Sequence, residues 1–249
     1  MAVKTVEYGS NRFDISYEIV NGDKEQSILF LHGWGSNKEV MKAAFGGKFA
    51  DFKLLFVDMP GFGKSVNELV LKTTDYASIM SSFLEALKVK PFAIFGHSFG
   101  GKVATLLAPP LLCLLSSAGI VEKKPFKVRA KIKLFKLSKM LFGDSMYRLF
   151  ATKDADGMPK NMYETLKNVV DEDFSAYFSA FEGKAFVFWG QNDTATSIES
   201  GKKIAGLIKN SSFYDFDGDH YFFLKHPYGC KFPFYFTLNF SVLPFTLMI

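Results

Sequence analysis

Hydrophobic and polar positions along the chain fall into two regimes. Residues 3–8 and 12–20 roughly alternate about Gly9-Ser10-Asn11, which predicts an edge hairpin closed by Asn21-Gly22-Asp23. Short, largely apolar runs follow at 27–31, 54–57, 92–95, 111–115, 184–189 and 212–216. Such runs read as strands buried on both faces. Between them the spacing turns helical. Ile79, Phe83, Leu84 and Leu87 share one face over 75–88, with Asp75 as the expected N-cap. Further helices are expected from Ser98 to about residue 107, ended by Pro109-Pro110, and over 196–208. Strand, helix, strand in this order requires parallel crossovers, right-handed in nearly all cases. The expected fold class is α/β, a mostly parallel central sheet with helices on both faces.

The character changes over 121–181. Lys123, Lys124, Lys127, Arg129, Lys131, Lys133, Lys136 and Lys139 are interleaved with Val128, Ile132, Leu134, Phe135, Leu137, Met140 and Leu141, an amphipathic helical pattern. Further helices are expected at 144–151, 158–170 and near 173–180, with no strand pattern among them. This predicts a helical cap at 121–181 inserted into a core formed by 1–120 and 182–249. A solvated helical face is the commonest meaning of the lysine run. Peripheral membrane contact through the basic cap is a weaker reading. Nucleic acid is disfavoured, because no recognition motif accompanies the charge.

Composition narrows this only a little. The net charge of +5 favours anionic partners weakly. Cys113 and Cys230 are too few and too far apart for a disulfide scaffold, and Cys113 reads as a small buried side chain. The first residues lack the apolar core of a signal peptide, so a cytoplasmic setting is expected. A monomer and a homodimer are equally compatible with the sequence. Residues 232–249 carry no charge and contain Pro233 and Pro244.

The most informative stretch is 91–101, Pro-Phe-Ala-Ile-Phe-Gly-His-Ser-Phe-Gly-Gly. An apolar strand breaks at Gly96 and a helix begins just after Ser98, the context expected of a G-x-S-x-G nucleophile turn. The backbone is pinched at the serine, so Gly96 and Gly100 must lack a Cβ for strand and helix to approach. Residues 58–65 could be mistaken for a phosphate loop, but the G-x-x-x-x-G-K spacing is missing. Their expected job is structural, with Asp58 or Ser65 pinning the turn.

Ser98, Asp193 and His220 occur in that order, each just beyond the end of a predicted strand. With His32-Gly33-Trp34-Gly35, Asp58-Met59-Pro60-Gly61-Phe62-Gly63-Lys64-Ser65, Gly96-His97-Ser98-Phe99-Gly100-Gly101, Trp189-Gly190-Gln191-Asn192-Asp193 and Gly218-Asp219-His220, the chain resembles the α/β-hydrolase superfamily. More closely, it is similar to small bacterial capped serine esterases and carbon–carbon bond hydrolases. Two features depart from that pattern: few residues separate Ser98 from Pro109, and the polar residues vanish after His226-Pro227.

The resemblance implies an α/β-hydrolase fold and a Ser98–His220–Asp193 triad. Ser98 would attack, His220 would serve as general base and then acid, and Asp193 would orient the imidazole. Asp215, Asp217 and Asp219 are rivals to Asp193, but Asp219 adjoins His220 and would fold back on it awkwardly. The backbone N–H groups of Trp34 and Phe99 would form the oxyanion hole, with Gly33 and Gly35 bending the loop. His97 is expected to point into packing around the turn, and a ring N–H of His32 to brace the loop. Candidates for the substrate pocket are His32, Gly33, Trp34, Leu134, Leu137, Met140, Leu141 and Met158. The implied activity is hydrolysis of a small to medium apolar acyl ester, with no cofactor and no metal. Carbon–carbon bond or thioester hydrolysis by the same residues, and a non-enzymatic receptor with the triad retained, are the alternatives.

Overall fold

The computed structural model describes residues 1–121, 158–231 and 233. An eight-stranded sheet forms its centre, in the order β1-β2-β4-β3-β5-β6-β7-β8. The strands are β1 (Ala2–Tyr8), β2 (Asn11–Val20), β3 (Ser27–Leu31), β4 (Lys53–Val57), β5 (Ala93–His97), β6 (Leu111–Leu115), β7 (Lys184–Gly190) and β8 (Ser211–Phe216). β1 and β2 form the antiparallel edge hairpin, β2 meets β4 antiparallel, and every pairing from β4 to β8 is parallel.

The central strands are apolar without interruption because both faces are covered. Successive side chains point to opposite faces. Leu29, Leu31, Leu55, Val57 and Ile94 pack with α2 (Thr73–Leu87) and α3 (Phe99–Leu106). Ile28, Phe30, Phe56 and Phe95 face α1 (Lys38–Phe45) instead. On that second face Phe30 stacks on Phe56 at 4.7 Å and on Phe95 at 5.1 Å, a row of rings across β4, β3 and β5. The sheet therefore holds β5, the strand that ends beside Ser98, rigidly at its centre.

One helix cap and one whole helix differ from the sequence reading. Asp75 does not cap α2; the helix starts two residues earlier, and Asp75 reaches back to accept the Lys72 N–H at 2.7 Å. Helix α1 was not foreseen. Asn37 caps it by accepting the Glu39 N–H at 3.0 Å, and its eight residues bury only three apolar side chains, Met41, Ala44 and Phe45. So short a pattern is hard to separate from loop.

Between β6 and β7 in the chain lie α4 (Lys160–Val169) and α5 (Ser175–Ala180). Polar side chains hold α4 to residues 67–71. Asn161 Nδ2 donates to Asn67 O at 2.8 Å, Thr165 Oγ1 accepts from Leu71 N at 3.0 Å, and Asn168 Nδ2 donates to Leu71 O at 3.3 Å. The lysine-rich run, the helix expected at 144–151, pocket candidates Leu134, Leu137, Met140 and Leu141, and the uncharged tail apart from Pro233 lie outside the described residues. Helix α6 (Ile198–Leu207) joins β7 to β8. Among the described residues no helix is long and apolar enough to cross a membrane.

Candidate active site

The turn at Ser98 is built from backbone crowding. A Cβ at Gly96 would lie 2.5 Å from Gly100 O, and one at Gly100 would lie 2.5 Å from His32 O and 2.6 Å from Leu31 O. Only hydrogen fits at either place. Ser98 itself occupies φ 51°, ψ −115° as the N-cap of α3. For a residue with a Cβ this conformation costs on the order of 1–3 kcal/mol and persists only where the surroundings enforce it. The enforcing bonds are Ser98 N–H to Leu115 O at 3.0 Å and Ala118 N–H to Ser98 O at 3.1 Å. They tie the turn to β6 and to the segment just after it. The side chain is left half-buried at the carboxyl edge of the sheet.

His220 comes to the same edge from the segment after β8. Its Nδ1 lies 2.8 Å from Asp193 Oδ2, on the segment after β7. The Asp193 side chain is fully buried. It also accepts from Ala195 N at 2.8 Å, Thr196 N at 3.0 Å and Thr196 Oγ1 at 3.0 Å. Burial alone would raise its pKa. The hydrogen bonds from His220 and Thr196 outweigh it and hold the carboxyl at about 2. The three other carboxylates near His220 in sequence are engaged elsewhere. Asp215 accepts from Gln191, Asp217 from Asn192, and Asp219 from the Tyr221 N–H. Gly190 lets the two segments meet, since a Cβ there would lie 2.2 Å from Asp219 O.

The structure thus brings His220 and Asp193 into direct contact, and sets His220 beside the residue that precedes Ser98. The His97 and His220 rings lie 4.6 Å apart, and His97 Nε2 is 3.0 Å from His220 O. Among the described residues Ser98 Oγ makes no hydrogen bond to His220.

The Gly33–Trp34 loop lies against the same turn. A Cβ on Gly33 would sit 3.1 Å from Ser98 Cβ and 2.9 Å from His97 Nδ1. Gly35 takes φ 70°, the left-handed bend that glycine permits. Neither the Trp34 nor the Phe99 N–H takes part in a loop or cap hydrogen bond among the described residues. The Trp34 ring packs edge-on against Phe62 at 4.9 Å and Phe99 at 5.6 Å.

His32 is a brace and not a pocket wall. The ring is fully buried, with Nδ1 2.8 Å from Gly33 O and Nε2 accepting the Met59 N–H at 3.1 Å. A carbonyl on one side and an N–H on the other fix the neutral tautomer with the proton on Nδ1. Burial keeps the ring from charging, lowering its pKa to about 4. Gly33 is likewise buried against the turn. Of the described pocket candidates, Trp34 and Met158 line a groove of about 490 Å³, together with Phe62, Val66, Asn67 and Met162.

Two buried lysines were not singled out in the sequence. Lys38, at the start of α1, donates through Nζ to Asp58 Oδ2 at 2.6 Å and to Ser16 Oγ at 3.1 Å. Asp58 also accepts the backbone N–H of Lys38 at 2.8 Å and of Lys64 at 3.0 Å. Burial opposes its charge, but these bonds prevail and lower its pKa. Ser65 Oγ donates to Asp58 O at 2.8 Å, so Asp58 and Ser65 pin the turn together. Lys102 in α3 pairs with Glu172 at 3.0 Å and donates to Val169 O, joining the helix after Ser98 to the segment following α4. An alternating or 3.6-residue pattern places a lysine on the surface, so neither signal was available. Among the described residues no cluster of His, Cys, Asp or Glu is placed to hold a metal ion.

A family model for the alpha/beta hydrolase fold matches residues 26–110, the stretch from β3 to the end of the segment after α3. The chain has the α/β-hydrolase fold. It is 21% identical to an uncharacterized hydrolase, YugF, of Bacillus subtilis, over 81% of this chain and 85% of that protein. It is 34% identical to the pimeloyl-[acyl-carrier protein] methyl ester esterase of Proteus mirabilis, over 35% of this chain and 32% of that enzyme. This match spans about a third of the esterase's length. Among solved structures, a thermophilic esterase from Thermogutta terrifontis superposes with a TM-score of 0.72 at 15% identity, covering 96% of this chain and 98% of that one. The expected fold class stands.

Proposed function

We propose that the protein is a serine hydrolase acting on carboxylic esters of small to medium apolar acyl groups. The observation that carries this reading is the Asp193–His220 hydrogen bond at 2.8 Å, packed against His97, the residue that precedes a serine in a strained turn at a helix N-terminus. A buried, ionised carboxylate accepts the Nδ1 proton, so Nε2 keeps the free lone pair. In the reaction His220 Nε2 takes the proton of Ser98 Oγ as the oxygen attacks the acyl carbonyl. Asp193 then stabilises the imidazolium without becoming protonated. The hydroxyl must turn toward the imidazole for this step; such contacts are often loose before substrate binds.

Negative charge gathers on the carbonyl oxygen as Ser98 bonds to carbon. The Trp34 and Phe99 N–H groups are the proposed donors to it, and one such donor is worth about 3 kcal/mol of barrier. His220 next protonates the leaving alcohol, and water, deprotonated by the same ring, cleaves the acyl-enzyme. The groove walled by Trp34, Phe62, Val66, Met158 and Met162, with Ser65 and Asn67 among its lining, is the proposed seat of the acyl chain. Met158 and Met162, two of its walls, belong to the segment 121–181 expected as a cap. Esterases stand among the similar proteins, but so do a 2-succinyl-6-hydroxy-2,4-cyclohexadiene-1-carboxylate synthase and a serine hydrolase of carbazole degradation, so carbon–carbon and thioester hydrolysis stay as the alternatives to be tested.

The test is a panel of p-nitrophenyl esters, matching thioesters and dienoate diketones, with fluorophosphonate labelling of Ser98. Ester turnover and labelling that both vanish in Ser98→Ala are expected. Diketone turnover with silence on every ester would overturn the ester assignment. Absence of labelling at Ser98 would favour a binding protein.

A further inference from the structure

His97 is a buried imidazole that the steps above leave unused. We propose that His97 is a positioning residue for His220, bracing the backbone of the histidine segment from beneath through its own ring N–H. This rests on the role given to His220 above. The Nε2 atom lies 3.0 Å from the His220 carbonyl oxygen. A carbonyl can only accept, so the proton sits on Nε2 and Nδ1 carries the lone pair. That Nδ1 is buried and has no partner among the described residues, so the ring's polar bonding is spent entirely on His220. Its faces and edges are filled by His220 at 4.6 Å, Tyr221 at 4.9 Å and Phe223 at 4.9 Å.

The placement matters because of where each segment is anchored. His97 ends β5, which is laddered on both sides by β3 and β6. His220 follows β8, which among the described residues is an edge strand paired with β7 alone. The His97–His220 bond carries the rigidity of a central strand to a segment that the sheet edge alone would hold less firmly. It also does so without charge. The titratable groups near His97 are His220, Tyr221, Asp193 and His32; burial first, then the charge of His220, keep its pKa near 3. When His220 becomes imidazolium, a second cation at ring-contact distance would oppose it. A neutral histidine supplies the N–H and avoids the repulsion.

The variants are His97→Leu, which removes the donor, and His97→Gln, whose amide N–H has the same reach. Proton NMR of the whole protein reads the low-field resonance of the Asp193–His220 hydrogen bond and needs no substrate. The resonance should be lost or broadened in His97→Leu and return in His97→Gln. On a p-nitrophenyl ester, kcat should fall about tenfold in the Leu variant with KM within about twofold, and recover in the Gln variant. If His97→Leu does not fold, His97→Asn, too short to reach the carbonyl, takes its place. An unchanged resonance in the Leu or Asn variant, or a Gln variant as impaired as either, would overturn the proposal. Missing fluorophosphonate labelling of the wild type would instead count against the hydrolase reading, with the NMR result still deciding the role of His97.

Discussion

His220 Nδ1 lies 2.8 Å from an Asp193 carboxylate whose side chain is fully buried. Taking that charge out of water is unfavourable, and the carboxylate remains ionised because four hydrogen bonds converge on it. The hydrogen bond is therefore a folding contact as well as a chemical one. Each of its partners sits on a different strand's outgoing segment, so it also fixes the segment after β7 against the segment after β8.

The linkage has a definite sign. The folded-state pKa of Asp193 is depressed from 3.8 to about 2, so the unfolded chain binds the proton more readily. The contribution is fully present above about pH 4 and is lost as pH falls through about 2, amounting to about 2 kcal/mol. Urea unfolding of the wild type and of Asp193→Asn across pH 2 to 6 measures it. The gap between the two should be widest at pH 5–6 and close on acidification. A gap independent of pH would show that the carboxylate is not held ionised by these bonds.

The Lys38–Asp58 pair should be far more costly to break than to replace. Both side chains are buried, so removing one strands the other without water. Lys38→Met and Asp58→Asn are each expected to lose about 3–5 kcal/mol in denaturant unfolding, and the double variant less than the sum. Because the pair links α1 to the turn at 58–65, single variants should also lower ester turnover. Strict additivity would mean the two charges do not depend on each other.

Close packing at the serine turn gives a sharper contrast. Alanine at Gly100 would drive a methyl group into the His32 and Leu31 carbonyls, and alanine at Gly96 into Gly100 O. Neither obstacle is a side chain that can swing away. Each substitution should destabilise by about 3 kcal/mol or more, or prevent folding. Gly206, near the end of α6, has nothing within 4 Å of its would-be Cβ. Gly206→Ala should be neutral or stabilise by about 0.5–1 kcal/mol, and thermal melts of the three variants measure the contrast.

The sheet was legible because burial on both faces leaves unbroken apolar runs, as at Ile28–Phe30 and Leu111–Leu115, and the strain at Ser98 was legible because Gly96 and Gly100 flank it. Hairpin, crossovers and strand ends follow from such local signals. Lys38 and Lys102 were not legible, since a lysine's burial depends on which carboxylate the fold brings to it, and Asp58 and Glu172 are 20 and 70 residues away. Asp75 misled for a local reason: an acidic residue in a first turn suits the N-cap and the third position alike, and the choice between them rests on one backbone bond. His32 was read both as a brace and as pocket wall, and only its burial separates the two.

Lys102 offers the last contrast, because its partner differs from that of Lys38 in one respect. The lysine is as deeply buried, but the Glu172 side chain is 27% exposed, whereas that of Asp58 is inaccessible. Loss of the Lys102 ammonium therefore leaves a carboxylate that water can still reach. Burial already lowers the Lys102 pKa, so its charge is held at some expense in the native protein. A methionine would keep the stem packed between Phe99 and Phe174, whose rings lie 5.6 and 5.1 Å from Nζ. Lys102→Met is thus expected to lose about 1–2 kcal/mol, clearly less than Lys38→Met, while Lys102→Ala, which also empties the packed volume, loses more. Parallel urea titrations of the three variants decide it. Equal losses in Lys102→Met and Lys38→Met would show that exposure of the remaining carboxylate does not set the cost.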